Sequence, residues 1–341
     1  MGMLKGSNYS RSIWHGCVLA VALGVANASA QTWEFTTCGA TGAQGPDQSA
    51  CDTEYTGTAL DGGVTVSGGI QSWTVPVSGR YRVTAVGAQG TAAEASVVGG
   101  LGASLQAEFT LSAGTVLQLA IGQVGLEDTC NGGGGGGSFV VDASDEPLLV
   151  AGGGGGTRTS VAQNGCDASL TTFGIGGSGS SETSACPVKA TEEGLGGVVS
   201  SGSWGSAGAG FFGNGAVDGS GTAALSWANG ALGGGSADDS SGGFGGGGGG
   251  DGSCGGGGGG GYSGGDGGRV AGGGGSFAAP AAASLVASIA GSGDGSVIIE
   301  ALDAQPAPPP VAVPALPGMA VVLLSALMLL AGIGRRRRLR V

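Results

Sequence analysis

Few residues in this chain have side chains suited to catalysis. There is one histidine, His15, and a single lysine, Lys189, between residues 31 and 303, and the many serines have no evident base beside them. Adjacent carboxylates occur at Glu192 and Glu193 and at Asp238 and Asp239. Such pairs in Ser/Gly surroundings are solvated, and acid–base chemistry would need burial and unequal pKa values. With 82 glycines in 341 residues, roughly five matches to G-x-G-x-x-G arise by chance and carry no weight. The run ending Gly156-Thr157-Arg158 lacks the lysine of a phosphate loop. The chain is therefore expected to be no enzyme, with no catalytic residue, cofactor or metal.

Cysteine is the exception. Cys17 lies near the N-terminus, and Cys38, Cys51, Cys130, Cys166, Cys186 and Cys254 remain. No CxxC pair accompanies them, which speaks against zinc. An even set in an exported chain reads as disulfides, although the sequence leaves their connectivity open. Short closure favours Cys38 with Cys51. Cys166 with Cys186 and Cys130 with Cys254 complete one possible set.

The ends suggest export. Lys5 and Arg11 precede an apolar stretch over 18–25 and the small residues Ala28, Ser29 and Ala30, the layout of a cleaved signal peptide over 1–30. Residues 304–317 form a Pro/Ala-rich spacer, 318–334 a thin apolar segment read as a transmembrane helix, and 335–341 an arginine-rich cytoplasmic tail. The uncharged stretch 319–333 reaches about 22 Å, short of the roughly 30 Å hydrocarbon core, so the span is marginal. Val313, Pro314, Ala315 and Leu316, followed by the helix and the arginines, resemble the I-P-T-L sorting tails of Gram-negative bacteria. That resemblance implies an exosortase-like enzyme as partner, a cell-envelope or surface location, and membrane anchoring by the C-terminal helix before any sorting.

Between these ends lies a domain over 31–303 carrying all twenty-four acidic residues against five basic ones, Arg80, Arg82, Arg158, Lys189 and Arg269, a net of −19. Such a charge excludes nucleic acid as a partner. Residues 103–111 alternate strictly, and 117–121 alternate after a turn at 112–115, which predicts a hairpin. Further strands are predicted at 81–85, 138–141, 148–151 and 296–302, the last returning to the sheet begun near Gln71. No amphipathic helix of twelve residues is visible. The expected fold is all-β, a jelly-roll-like sandwich, with an N-terminal extension over 31–70 and a glycine-run insertion within 132–295.

Uninterrupted glycine runs occupy 132–137, 152–156, 245–250, 255–261 and 272–275. A flexible linker is one reading. Against it, aromatic residues such as Phe139, Phe244, Tyr262 and Phe277 flank the runs. The alternative is a bundle of polyglycine II helices, three residues per turn, with every backbone group bonded to a neighbouring helix.

The series WTVPVSGRYRVTAVGAQG from Trp73, GGGGGGSFVV from Gly132, PLLVAGGGGG from Pro147 and GGFGGGGGGDGSCGGGGGGGYSGG from Gly242 resembles the glycine-rich extracellular domain of the anaplastic lymphoma kinase and leukocyte tyrosine kinase receptors. The resemblance implies a tumour-necrosis-factor-like sandwich carrying packed polyglycine helices, and a role in binding protein ligands. It implies no kinase activity, because no kinase domain accompanies it. The function expected is a surface-anchored, non-catalytic binding or adhesion module for a protein or polysaccharide ligand. The alternative is a structural envelope or matrix component with the glycine bundle as rigid spacer. Trp204, Phe211, Phe212 and Trp227 are the candidate binding residues, as exposed loop aromatics, with packing of the sandwich edge as their competing role.

Overall fold

The computed structural model describes residues 31–303 other than 190–192, 201–203, 220, 238 and 252–253. Residues 1–30 and 304–341, where a signal peptide, spacer, sorting motif, transmembrane helix and arginine tail are expected, lie outside the described residues, as do Glu192 and Asp238. Among the described residues no helix is long and apolar enough to cross a membrane.

In chain order the elements are β1 (Thr32–Phe35), α1 (Gln48–Tyr55), β2 (Val64–Ser67), β3 (Ile70–Thr74), β4 (Gly79–Val86) and β5 (Gly102–Leu111). Then follow β6 (Val116–Ala120), β7 (Ser138–Asp142), β8 (Pro147–Ala151), a 3-10 turn at Trp227–Asn229, β9 (Phe277–Ala278), β10 (Ala283–Gly291) and β11 (Ser296–Ala301). The strands form two antiparallel sheets, β1-β11-β4-β5-β10 and β2-β3-β6-β7-β8-β9. The regular secondary structure is thus almost wholly β, with α1 and the 3-10 turn as the helical pieces among the described residues.

Period-two patterning explains the interior. Ala103, Leu105, Ala107, Phe109 and Leu111 on β5 are buried, and they meet Leu117 and Leu119 of β6, Val140 of β7 and Leu149 of β8 in one core. On the opposite face of the first sheet Arg82 reaches Glu108 at 3.3 Å and Glu300 at 3.5 Å, and Arg80 pairs with Glu108 and Asp303. Asp47 caps α1 by accepting from the Ala50 N–H at 2.8 Å. One turn apart, Cys51 and Tyr55 then face the core, with Cys51 bridged to Cys38.

Three expectations about connectivity need correction. Strands β5 and β6 do not form a hairpin; β5 pairs with β4 and β10, whereas β6 pairs with β3 and β7. Their turn already belongs to the second sheet, because the Val75 N–H donates to the Thr115 carbonyl and the Gly114 N–H to that of Val75, beyond the end of the β3–β6 ladder. Two strands with one apolar face each bury those faces equally well across a sandwich as within a sheet. Strand β11 returns to the first sheet, between β1 and β4, and not to the sheet containing Gln71. Its inward Val297 and Ile299 complete the core while Glu300 meets Arg82 outside. Nor is 31–70 an extension, since β1 pairs along β11 and places Trp33 and Phe35 in the core.

The second sheet is covered on its outer face as well. Phe139, Val141 and Val150 point away from the inter-sheet core into a second apolar cluster with Phe211, Trp227, Phe244 and Tyr262. Those four come from the glycine-rich segments, and the runs themselves are buried. Their N–H groups donate to carbonyls of other segments in a three-residue rhythm. Gly257 and Gly260 donate to Gly132 and Gly135, Gly258 and Gly261 to Ser206 and Ala209, and Gly259 and Tyr262 to Gly272 and Gly275. In return Gly153 and Gly156 donate to Gly260 and Gly257, Gly248 to Gly258, and Gly265 to Gly259. The run 255–261 is thereby bonded on every side.

Close approach sets the need for glycine there. A Cβ on Gly258 would lie 2.1 Å from the Gly265 carbonyl oxygen, and one on Gly134 2.1 Å from that of Gly258. At Gly114, in the 112–115 turn, the need is conformational instead: φ is +85 and the space around it is open. Disulfides Cys130–Cys254 and Cys166–Cys186 staple the glycine-rich region, the first joining the segments that lead into runs 132–137 and 255–261.

Candidate functional site

The described surface holds a pocket of about 270 Å³ at the seam between the outer face of the second sheet and the glycine-rich region. Ile70, Gln118, Asp145, Phe211, Phe212 and Trp227 line it. Its sheet side is built by the β7–β8 turn. The Asp142 carboxylate accepts from the N–H groups of Ser144 and Glu146, and the Asp145 N–H donates to the Asp142 carbonyl. This holds Asp145 at φ +60, a left-handed conformation that Asp and Asn tolerate better than other side chains. Its Oδ1 accepts long hydrogen bonds from Gln118 Nε2 at 3.4 Å and Trp227 Nε1 at 3.5 Å.

The loop side is held by Asn214. Its Oδ1 accepts from the Ser226 N–H at 2.9 Å and from Asn229 Nδ2 at 2.8 Å, tying the loop after Phe212 to the turn that carries Trp227. The Phe211 N–H donates to the Tyr262 carbonyl and the Phe212 N–H to that of Gly194. The rings then pack in series: Phe211 parallel to Trp227 at 6.0 Å, Phe212 edge-on to Phe211 at 4.9 Å, and Tyr262 stacked on Phe277 at 4.5 Å. Burial first, and then the charges of Glu193 and Glu146, push the Tyr262 phenol above its usual pKa.

The four expected loop aromatics do not form one exposed cluster. Phe211 and Trp227 are 2% and 7% exposed because they cover Phe139 and Val141, while Phe212, 59% exposed, stands at the rim. These three meet at the pocket. Trp204 lies elsewhere, with the guanidinium of Arg269 4.1 Å and that of Arg158 5.5 Å from its ring centre, and both arginines are paired with Glu182. Its ring is occupied by the chain's own cations. Ile70, Gln118 and Asp145 were not singled out from sequence; the clue was the D-x-x-D turn in VVDASDEPLLV, between two strands.

Among the described residues no group of histidine, cysteine, aspartate and glutamate could hold a metal ion. The arrangement presents one open ring, Phe212, and one exposed carboxylate, Asp145, to the same pocket.

The class defined so far is a disulfide-stapled, two-sheet antiparallel β domain covered by buried glycine runs. A stretch of 104 residues is 39% identical to the leukocyte tyrosine kinase receptor of Mus musculus, covering 29% of this chain and 12% of the receptor. The chain thus matches a small part of that receptor's length, and the match supports a likeness to its ectodomain. No protein-family model matches the chain. The receptor likeness and the three disulfides suggest an extracellular location.

Proposed function

We propose that this chain is a non-catalytic binding or adhesion module held at the surface of a Gram-negative cell. The likeness to a receptor ectodomain carries the reading. A jelly-roll-like, tumour-necrosis-factor-like sandwich would be its frame, supported by the two facing sheets. The glycine runs would be polyglycine II helices, supported by donors that repeat every three residues and by the burial of the runs. The signal peptide would export the domain, and the C-terminal helix would anchor it until an exosortase-like enzyme acts at Val313-Pro314-Ala315-Leu316. Nucleic acid is no partner for a domain of net −19.

Purified residues 31–303, assayed against whole cells, polysaccharides and a protein library, test this. Saturable binding to one class, weakened at least tenfold by Phe212→Ala, is the expected result. The backbone-bonded glycine interior favours a second reading, a structural envelope component with a rigid spacer. Absence of binding to all three sets, with the fold intact, would leave that reading in place of the first.

A further inference from the structure

We propose that the pocket bounded by Phe212, Trp227 and Asp145 is a binding site for a small organic ammonium group. The proposal rests on the binding-module reading and names the ligand chemistry of its site. Ring faces carry negative charge density that attracts a cation, at exposed sites as well as at buried ones. Here one open ring, Phe212, lines the same pocket as the covered indole of Trp227 and the exposed carboxylate of Asp145, with Phe211 packed against both rings.

Charge around the site points the same way. Glu146 adjoins Asp145, and Glu146 and Glu193 both lie close enough to Tyr262, which packs on Phe212, to disfavour its ionised form. The basic residues between 31 and 303 are engaged elsewhere: Arg80 and Arg82 with Glu108, Arg158 and Arg269 with Glu182, and Lys189 with Asp266 at 2.8 Å. The aromatic pocket therefore has an acidic surround and no cation of its own among these pairs. Phosphate and carboxylate ligands are repelled.

Size selects within the cations. A volume of about 270 Å³ is just below the roughly 300 Å³ at which drug-sized pockets begin. It accommodates a trimethylammonium head. A sugar would need a broad open ring face, and Phe211 and Trp227 are almost fully covered. A compact cation needs only the open Phe212 ring and the carboxylate.

The test is calorimetric titration of the full-length chain with tetramethylammonium chloride, choline chloride and 3,3-dimethylbutanol, the neutral isostere of choline. Saturable binding of both cations is expected, with the isostere at least tenfold weaker. Asp145→Asn and Phe212→Ala should each weaken choline at least tenfold without lowering the melting temperature. Asparagine tolerates the left-handed backbone at 145, and residue 212 is exposed, so both variants retain the fold. Equal binding of the isostere would overturn the ammonium assignment while leaving a binding pocket in place. No saturable heat with either cation would also overturn it. The broader reading fails separately, if the parent chain binds none of the cells, polysaccharides or proteins above.

Discussion

Between the two sheets, Trp33, Phe35, Tyr81, Leu105, Leu117 and Ile299 fill the interior with side chains, whereas beyond the second sheet runs such as 132–137 and 255–261 fill it with backbone alone. The first region is held by apolar burial, about 25 cal/mol per Å², which tolerates imperfect fit. In the second, glycine loses more conformational freedom on ordering than any other residue. What offsets that loss is hydrogen bonds, each about 0.5–1.5 kcal/mol net, together with the penalty of leaving a buried donor unpaired. The difference teaches where each region is fragile. A side-chain core fails when atoms are removed, and a backbone interior fails when atoms are added. Phe139, Phe211, Trp227, Phe244 and Tyr262 form the layer where the two materials meet.

Removing atoms from that layer gives the largest expected effect. Phe139→Ala, at a residue 1% exposed and packed against Phe211 and Trp227, should cost about 3–5 kcal/mol in denaturant melts. A much smaller loss would mean that the glycine region does not cover the sheet. Next, Cys130→Ser with Cys254→Ser should cost about 2–4 kcal/mol, because this bridge constrains a long stretch that has little side-chain core of its own. If amide exchange in the glycine runs were unchanged by that double substitution, the glycine region would not depend on its staple.

Acid gives the smallest effect, and it is local to the glycine region. Burial raises the Asp128 pKa, but hydrogen bonds from the Asn131 side chain and from the Cys130 and Asn131 N–H groups outweigh this and hold it below 3.8. A lowered folded pKa contributes stability above the unfolded value, which is lost as pH falls through the folded one. Stability should therefore be insensitive to Asp128 near neutrality and should fall below about pH 4, with Asp128→Asn flattening that acid limb. An identical acid limb in the variant would assign the effect to other carboxylates.

The sandwich was legible where one strand face was apolar and the other polar, as along Ala103–Leu111 and Ser296–Leu302. Which sheet each strand joined was not, because an apolar face does not say whether its partner lies beside it or opposite. Strand β10 left no signal: its Ala- and Ser-rich sequence is mostly exposed, with Leu285 and Val286 open to solvent. In the pocket, Phe211, Phe212 and Trp227 stood out by residue type. Their meeting with Asp145, distant in sequence, depends on how the glycine region lies on the second sheet. The glycine runs announced close backbone approach, but the neighbours of each run emerged only from the hydrogen bonds.

Gly258→Ala tests the backbone-interior account most directly. Gly258 donates to Ser206, accepts from Gly248, and lies where a methyl group would meet the Gly265 carbonyl at 2.1 Å. Its φ is not in the left-handed region, so alanine would meet a steric obstacle and no conformational one. Overpacking of this kind costs about 1–3 kcal/mol, enough to lower the melting temperature of residues 31–303 by several degrees. In a flexible linker the same change would be neutral or would stabilise by about 0.4–1 kcal/mol through the unfolded state. A lowered midpoint is the predicted result; an unchanged or raised one would contradict the packed glycine interior.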